Sequence, residues 1–461
     1  MNDATWEQFG RFGPKPPRVP QVPPTDEQRA RLELPATLRP VGGPGVTQAS
    51  VFEPALRQHR RAYRAGDPRF EDEQTGRRWY AARCAAIDAI LAAIAQSSYA
   101  DSLVLRGSVL LRAWYGEAAR EPGDLDFVVV PTTWKVDEAR TAEMFEALAA
   151  AAERVSVSSV AGAAGSIADG VRIVAKDAVS EDIWTYDRVP GRRLLLPWEA
   201  EGLPGGSVQL DFVFNEHLPV PPEPTLIPPS AGGGEAGDPQ ESGQVLLAAT
   251  PELSLAWKVM WLVTDAHPQG KDLYDAVLLA ERTTLRYEVL RDAVAHVEEC
   301  YALRPVRRAD ILQLATEWDH FRAEYPEQPK TDTEYRHRLA VALAPTFDTV
   351  AGRPAGEYEA YVAWLEPHIE RYRRKIGAGR SAVQATLFPA YTTPPLSAIV
   401  MIRELLGRES TSLDEARRLV MSDDEWAVEP GPDWARDARR KLVADLESFR
   451  LDPAAADAGP S

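Results

Sequence analysis

Apolar residues recur at helical spacing in two long stretches of the first half of the chain and in most of the second half. Over residues 78–97 they repeat every three or four positions among strong helix formers. The same pattern predicts helices over residues 109–115, 143–154, 253–263, 272–282, 286–300, 309–325, 335–344 and 358–374. We expect Pro367 to kink or divide the last of these, because proline lacks a backbone N–H.

Short apolar runs between the early helices predict β-strands. They cover residues 103–105, 127–130, 171–174, 183–186, 193–196 and 208–214. Strands and helices alternate over residues 80–217, and the late strands cluster. The predicted fold class is therefore α+β, with a mixed sheet followed by a mainly helical C-terminal region.

Composition divides the chain into five segments. Residues 1–50 are dense in Pro, Gly and Arg without periodicity, which predicts a flexible Pro-rich arm. The patterned α+β domain follows over residues 51–217, and residues 218–250 have the Pro/Gly-rich composition of a linker. We expect a helical domain over residues 251–385 and a small helical appendix with a polar tail over residues 386–461.

Bulk composition is typical of a soluble globular protein with two or three domains: 461 residues, 44% hydrophobic and 26% charged. The N-terminus lacks the features of a signal peptide, and no apolar run reaches the ~20 residues that cross a bilayer. Cys84 and Cys300 have neither the number nor the spacing of a disulfide framework or a zinc site. We therefore expect a cytoplasmic protein with no membrane partner.

The formal net charge of −17 argues against an extensive surface for nonspecific nucleic-acid binding, because such a surface needs clustered Lys and Arg. A local basic groove stays open as an alternative to solvated helix faces. Three clusters are candidates for it: Arg57, Arg60, Arg61 and Arg64; Arg304, Arg307 and Arg308; and Arg371, Arg373, Arg374 and Lys375.

Two carboxylates enter a β-branched run at Asp124 and Asp126. Because side chains alternate along a strand, both project from one face, where they repel each other unless a cation lies between them. Asp211 is a third acid, set inside the later apolar strand Val-Gln-Leu-Asp-Phe-Val-Phe, where it needs a metal or cationic partner. The three predict a site for two Mg²⁺ ions, with Mn²⁺ as an alternative.

A Gly-Ser pair stands upstream of the acids, at Gly107 and Ser108. The glycine allows close backbone approach to a phosphate, and the serine and the following helix offer donors to its oxygens. Taken singly, Gly-Ser is also typical of a helix N-cap and Asp-x-Asp of a surface turn. Their order along the chain, followed by a buried acid, favours a nucleotidyl-transfer site.

Leu-Arg-Gly-Ser at residues 105–108 and Asp-Leu-Asp-Phe at residues 124–127 resemble the signature of polymerase-β-like nucleotidyltransferases. Within them the chain is most similar to the AbiEii/AbiGii toxin family of bacterial abortive-infection and toxin–antitoxin systems. Pro-Glu-Leu-Ser-Leu-Ala-Trp-Lys at residues 251–258 and Lys-Asp-Leu-Tyr-Asp at residues 271–275 resemble later motifs of that family. The resemblance covers about residues 78–290.

This resemblance implies roles for further residues. Beside the catalytic metal ligands expected from the residues themselves, Asp124, Asp126 and Asp211, Lys258 would contact the nucleotide phosphates. Asp272 or Asp275 would orient the lysine or a substrate hydroxyl. The nucleotide-binding set would be Arg106, Gly107, Ser108, Lys258, Lys271 and Asp275. Trp257 stands where the family pattern leads us to expect an acid.

The predicted function is Mg²⁺-dependent transfer of a nucleoside monophosphate from an NTP to an acceptor hydroxyl, with tRNA 3′ ends as the first acceptor and a cognate antitoxin as a partner. Two alternatives stay open. One is transfer to a small molecule or a protein, which the acidic chain fits if the acceptor is cationic. The other is a nucleotide-binding scaffold that does not catalyse transfer.

Overall fold

The structure of the protein is a computed structural model. It describes residues 5–10, 13–14, 18–162, 170–185, 189–230, 243–265, 267–297, 299–325, 330–350, 353–354, 357–375, 393–421 and 433–451. The chain forms two compact units. The first comprises residues 1–254, 265–279 and 315–332, and the second comprises residues 255–264, 280–314 and 333–461.

Short elements make up the first 70 residues. They are helix α1 (Asp26–Leu32) and the antiparallel pairs β1 (Phe9–Gly10) with β2 (Gly13–Pro14), β3 (Val46–Thr47) with β6 (Arg69–Phe70), and β4 (Ser50–Phe52) with β5 (Tyr63–Ala65). Thr25 caps α1 through a reciprocal capping box with Gln28.

The structure differs here from the predicted flexible arm over residues 1–50. Trp6, Val19, Leu32, Leu34 and Leu38 form a buried apolar cluster, although their spacing follows neither helix nor strand periodicity. Burial of these side chains stabilises an irregular path that a pattern search does not detect.

The same N-terminal segment is fixed to the main sheet by Glu181. The backbone N–H groups of Ala36 and Thr37 each donate to the Glu181 carboxylate at 3.0 Å, the Thr37 hydroxyl donates to it as well, and His59 Nε2 lies 3.1 Å from it. The segment therefore packs as part of the first unit.

A mixed sheet of eight strands forms the centre of this unit. Its strands are β7 (Leu103–Arg106), β8 (Asp124–Val129), β9 (Val171–Ile173), β10 (Val179–Thr185), β11 (Val189–Ala200), β12 (Gly206–Val213), β13 (Glu223–Ile227) and β14 (Gln244–Ala248). The spatial order is β10-β11-β12-β8-β7-β14-β13, with β9 paired to β11. The pairs β12–β8 and β14–β7 are parallel and the others antiparallel, which confirms the predicted mixed sheet and α+β class.

The structure also differs from the predicted linker over residues 218–250. Strands β13 and β14 lie within it and pair with each other, and β14 joins the sheet beside β7. Prolines on either side of β13 make the composition resemble a linker, whereas the strand residues themselves alternate in burial.

Three helices accompany the sheet: α2 (Glu73–Ala95), α3 (Ser108–Tyr115) and α4 (Ala139–Gly162). Helices α2 and α4 pack together, and α2 also contacts β12 and β14. Isoleucines at 87, 90 and 94 bury one stripe of α2, at the spacing that predicts the helix.

The C-terminal half is mainly helical, as predicted. Its helices are α5 (Pro251–Thr264), α6 (Gly270–Ala280), α7 (Tyr287–Val294), α8 (Glu299–Ala302), α9 (Arg308–Leu312), α10 (Trp318–Glu324), α11 (Asp332–Ala342), α12 (Ala344–Asp348), α13 (Glu357–Lys375), α14 (Pro395–Leu406), α15 (Leu413–Val420) and α16 (Asp433–Leu451). A short antiparallel pair, β15 (Thr349–Val350) with β16 (Arg353–Pro354), interrupts them. Within the described residues, no helix is both long enough and apolar enough to span a bilayer.

Two helix predictions in this half are corrected by tertiary hydrogen bonds. The helix predicted over residues 309–325 divides into α9 and α10, because the N–H of Glu317 donates to Pro268 O at 2.8 Å instead of to a helical carbonyl. Helix α13 continues through Pro367. The carbonyl of Ala363, which Pro367 cannot pair with, accepts a hydrogen bond from Arg291 Nη1 at 3.1 Å.

Candidate active site

Four charged residues line up across adjacent strands at the centre of the sheet. Strand register pairs Arg193 on β11 with Asp211 on β12, Asp211 with Asp126 on β8, and Asp126 with Arg106 on β7. Residues opposite each other in register project from the same face of a sheet. This charge row, with a cation at each end and two acids between, brings Asp211 beside the Asp-x-Asp strand.

Asp124 projects from the same face, two residues before Asp126. Burial raises the pKa of Asp124, but the nearby positive charges, chiefly Lys271 and Arg120, outweigh burial and bring the pKa down to about 2. Burial and the charge of Asp124 raise the pKa of Asp126 to about 7. A divalent cation shared by the two carboxylates would remove this repulsion, so the pair fits one such ion.

The turn that precedes α3 lies against this pair. Gly107 has φ of 86°, and a Cβ at this position would lie 2.5 Å from Asp126 Oδ2. Ser108 begins α3 and is 1% exposed, and its hydroxyl has no hydrogen-bond partner among the described residues. A buried, unpartnered hydroxyl at a helix N-terminus fits a phosphate oxygen.

Asp211 has a different environment. Arg193 Nε and Nη2 donate to its two oxygens at 2.8 Å each, and Gln209 Nε2 donates to Oδ2 at 3.2 Å. Burial raises the pKa of Asp211 above its ordinary value, against the effect of the guanidinium. The pKa of Arg193 is lowered by burial but raised further by Asp211 and Glu53, so the guanidinium keeps its charge.

The predicted three-carboxylate metal site is therefore not assembled as expected. Within the described part of the chain, no group of three or more His, Cys, Asp or Glu side chains is arranged to hold a metal ion. Asp124 and Asp126 fit an ion, whereas Asp211 already holds a cation in bidentate contact. The physical reason is strand register, which sets Arg193 directly opposite Asp211.

A cavity of about 120 Å³ opens beside Asp124. One wall comes from the N-terminal segment between Thr37 and Pro68, and Lys271 and Tyr325 form part of another. Its basic lining residues are Arg39, Arg64, Arg83, Arg120 and Lys271, and its acidic ones are Asp67 and Asp124. The excess of basic residues suits an anionic ligand.

Two residues predicted to contact the nucleotide form internal ion pairs. Arg106 is 3% exposed and its Nη1 donates to Glu216 at 3.2 Å. Asp275 is fully buried and accepts from Arg120 Nε at 3.2 Å and Nη2 at 3.1 Å. Charges this deeply buried require fixed partners within the fold, and the nucleotide contacts of the two residues stay predictions.

The remaining predicted site residues lie in α5 and α6. Lys271 is half-buried and lines the cavity, in keeping with a nucleotide contact. Asp272 is buried in the first turn of α6, in the first unit. Lys258 belongs to the second unit, where it is buried with its Nζ 5.2 Å from the centroid of the Trp261 ring. The catalytic roles of Lys258 and Asp272 stay predictions.

Sequence reasoning missed the site roles of Glu53, Arg120 and Arg193. The position of Arg193 at the start of the predicted strand over residues 193–196, directly before three leucines, was a signal, since an unpaired charge in a strand core is costly. Glu53 and Arg120 lie in irregular segments and give no such signal. Arg64 was part of a predicted basic cluster, and the structure places it in the cavity wall.

Comparison with known proteins identifies a family model that matches the chain. The model of a family described as "Nucleotidyl transferase AbiEii toxin, Type IV TA system" matches residues 89–353, which is more than half of the chain. A solved structure, that of MenT4, a nucleotidyltransferase toxin from Mycobacterium tuberculosis H37Rv, is 18% identical, with a TM-score of 0.40, and the match covers 65% of this chain and 91% of that one. No curated protein matches significantly.

Proposed function

Because the chain belongs to the AbiEii family of nucleotidyl transferase toxins of type IV toxin–antitoxin systems, we propose that it transfers a nucleoside monophosphate from an NTP to a hydroxyl of RNA. The 3′ end of tRNA is the acceptor that we propose first. The observation that carries the proposal is the repelling pair Asp124 and Asp126, set against the Gly107–Ser108 turn with its unpartnered hydroxyl.

Asp124 and Asp126 would hold the divalent ion, which we propose to be Mg²⁺, with Mn²⁺ as an alternative. When bound, such an ion neutralises the triphosphate and stabilises the charge that develops during transfer. The Ser108 hydroxyl and the first N–H groups of α3 would donate to phosphate oxygens. Lys271 lines the cavity beside Asp124, and its positive charge would attract the nucleotide.

A toxin of this family requires control, so we propose a cognate antitoxin as its partner. NTPs and tRNA are cytoplasmic substrates, and a cytoplasmic location follows from the proposed reaction. The cationic small-molecule acceptor stays the second candidate, because the net charge of −17 favours a positively charged substrate over a polyanion.

The test is incubation of the full-length chain with each labelled NTP, Mg²⁺ and total tRNA. We expect one NTP to label tRNA with release of pyrophosphate. Parallel reactions with an aminoglycoside and with bulk protein identify the other acceptor classes. Nucleotide binding by calorimetry without pyrophosphate release would contradict an enzyme and favour a scaffold.

Asp126→Asn is the matched variant for this assay. It removes a proposed metal ligand but keeps the side-chain shape, so transfer should fall by about 100-fold or more while the protein stays folded. Asp182→Asn is the control, because Asp182 is 65% exposed and pairs with Arg192 at the sheet edge. Equal activity in both variants would contradict the assignment.

A further inference from the structure

We propose that the site takes one divalent ion, and that Arg193, clamped between Asp211 and Glu53, is the fixed cation in the place where a second ion would otherwise be held. This inference rests on the proposed function for the identity of the reaction. It concerns a residue that positions charge in the site and that the sequence motifs do not include.

The geometry of the clamp fixes the guanidinium from two sides. Both Asp211 oxygens accept from Arg193 at 2.8 Å, and Glu53 Oε1 lies 3.8 Å from Nη2. The Arg193 side chain is 2% exposed. A bidentate pair of this kind is the strongest and most directional contact that a carboxylate makes with a side chain.

Glu53 is itself held by a second arginine. Arg64 Nε lies 3.2 Å from Glu53 Oε2. The clamp is thus a continuous series, Arg64–Glu53–Arg193–Asp211, that runs from the N-terminal segment into the sheet. Both Glu53 and Arg64 lie before residue 89, where the family match begins.

Matching the charges of the site shows how many ions it can hold. The carboxylates of Asp211, Glu53, Asp275 and Glu216 each face an arginine in the first unit, namely Arg193, Arg64, Arg120 and Arg106. Asp124 and Asp126 face no arginine at ion-pair distance among the described residues. The two negative charges of these carboxylates balance the charge of one divalent ion.

A second ion on Asp211 would have to displace the guanidinium or lie within a few Å of it. The first option leaves Arg193 buried with Glu53 as its remaining partner, and the second sets a positive charge beside a divalent one in a poorly solvated site. Both are unfavourable. Asp211 therefore serves as a positioning residue for Arg193.

The experiment counts Mn²⁺ bound to the full-length chain by EPR, with a non-hydrolysable NTP analogue present. Wild type should bind one ion per chain. Asp211→Asn should still bind one ion, with its affinity changed less than about threefold, whereas loss of a true ligand should lower affinity by more than the ~10–100-fold that loss of an outer-shell partner costs. Asp126→Asn should show that larger loss.

Arg193→Gln provides the opposite test, since it frees the Asp211 oxygens and should raise the count towards two. Arg192→Gln is the matched control from the adjacent, half-exposed position and should leave the count at one. If Arg193→Gln does not fold, the wild-type and Asp211→Asn counts decide. Two ions on wild type, none, or a tenfold loss in Asp211→Asn overturns the inference.

Failure of the inference is distinguishable from failure of the proposed function. One bound ion without transfer to any acceptor leaves the ion count standing and contradicts the function. Two bound ions with active transfer support the function and overturn the single-ion site.

Discussion

Asp126 has an unfavourable charge in the candidate site. It is flanked by Asp124 on its own strand and by Asp211 on the next. Gly107 lies so close to Asp126 that a Cβ at residue 107 would be 2.5 Å from Asp126 Oδ2. A group in this position is costly to ionise without a counter-ion. The free-energy cost of ionising Asp126 and the close approach of the Gly107 turn can each be measured.

Asp126→Asn should stabilise the metal-free fold at high pH. The folded-state pKa of about 7 lies above the ordinary value of 3.8, so wild type loses stability as pH rises from about 4 to about 7. The variant does not titrate there and should exceed wild type by about 1–3 kcal/mol at pH ~8 and by almost nothing at pH ~4. Urea unfolding in EDTA at the two pH values measures this, and a variant less stable than wild type at pH ~8 would contradict it.

Gly107→Ala should reduce transfer strongly and cost about 1–3 kcal/mol of stability. The new Cβ would lie 2.5 Å from Asp126 Oδ2, and the backbone already has positive φ. Gly116→Ala is the matched control, since its φ is also positive, at 55°, but no atom lies within 4 Å of its Cβ. Thermal unfolding and the labelling assay should distinguish the two variants. An equal loss of stability and of transfer in both would contradict the role of the close approach to Asp126.

Among the elements, the N-terminal segment contributes more to the site than its composition indicates. Its short strands and its cluster around Leu38 carry Arg64 to the cavity wall and Glu53 to the Arg193 side chain. The segment is attached to β10 through Glu181, whose side chain is 8% exposed. Site geometry therefore depends on an element outside the family match.

Glu181→Gln should make the free energy that holds this segment on β10 less favourable by about 1–3 kcal/mol. The reason is that an amide NH₂ would face a backbone N–H that now donates to the carboxylate. Burial raises the pKa of Glu181, but hydrogen bonds from His59 and Thr37 outweigh burial and hold it below its ordinary value. The attachment is therefore present at neutral pH and is lost as pH falls through the lowered pKa of Glu181, below the ordinary value of 4.5.

Limited proteolysis within residues 18–70 should be faster in Glu181→Gln than in wild type at pH ~7, and the difference should disappear near pH ~3. Asp182→Asn, on the same strand but exposed, is the control. Unchanged cleavage rates in Glu181→Gln would show that other contacts hold the segment.

For the molecule as a whole, charge is distributed unevenly. The net charge is −17, yet the cavity beside Asp124 is lined by five basic and two acidic residues. Such a protein repels a polyanion at long range and attracts it only locally. This contrast sets the expected salt dependence.

Transfer to tRNA should depend weakly on salt. A few phosphate contacts release few counter-ions, so log(kcat/KM) against log[KCl] should have a slope between about 0 and −2 from ~50 to ~300 mM. Transfer to a short RNA ending in the same nucleotides is the control and should give a similar slope. A slope steeper than about −4 would indicate an extended phosphate-binding surface instead.

The sequence by itself determined the local elements and the most local part of the site. Helix and strand periodicity depend on neighbouring residues, so six of the eight sheet strands (β7 to β12), α2 to α6 and the mixed α+β class could be predicted. Gly107, Ser108, Asp124 and Asp126 were recognisable because each motif is contiguous. Asp211 was recognisable because an acid stands in an apolar strand.

Tertiary structure alone decided which charges pair. The register of β11 on β12 places Arg193 opposite Asp211. Arg120 and Asp275 pair although they are 155 positions apart in the sequence, and Glu53 lies beside Arg193 at the end of an irregular segment. Such partners are selected by burial, since a desolvated charge is stable only beside its opposite, and burial is a property of the folded chain. For this reason the sequence identified three acids, and the fold pairs one of them, Asp211, with Arg193.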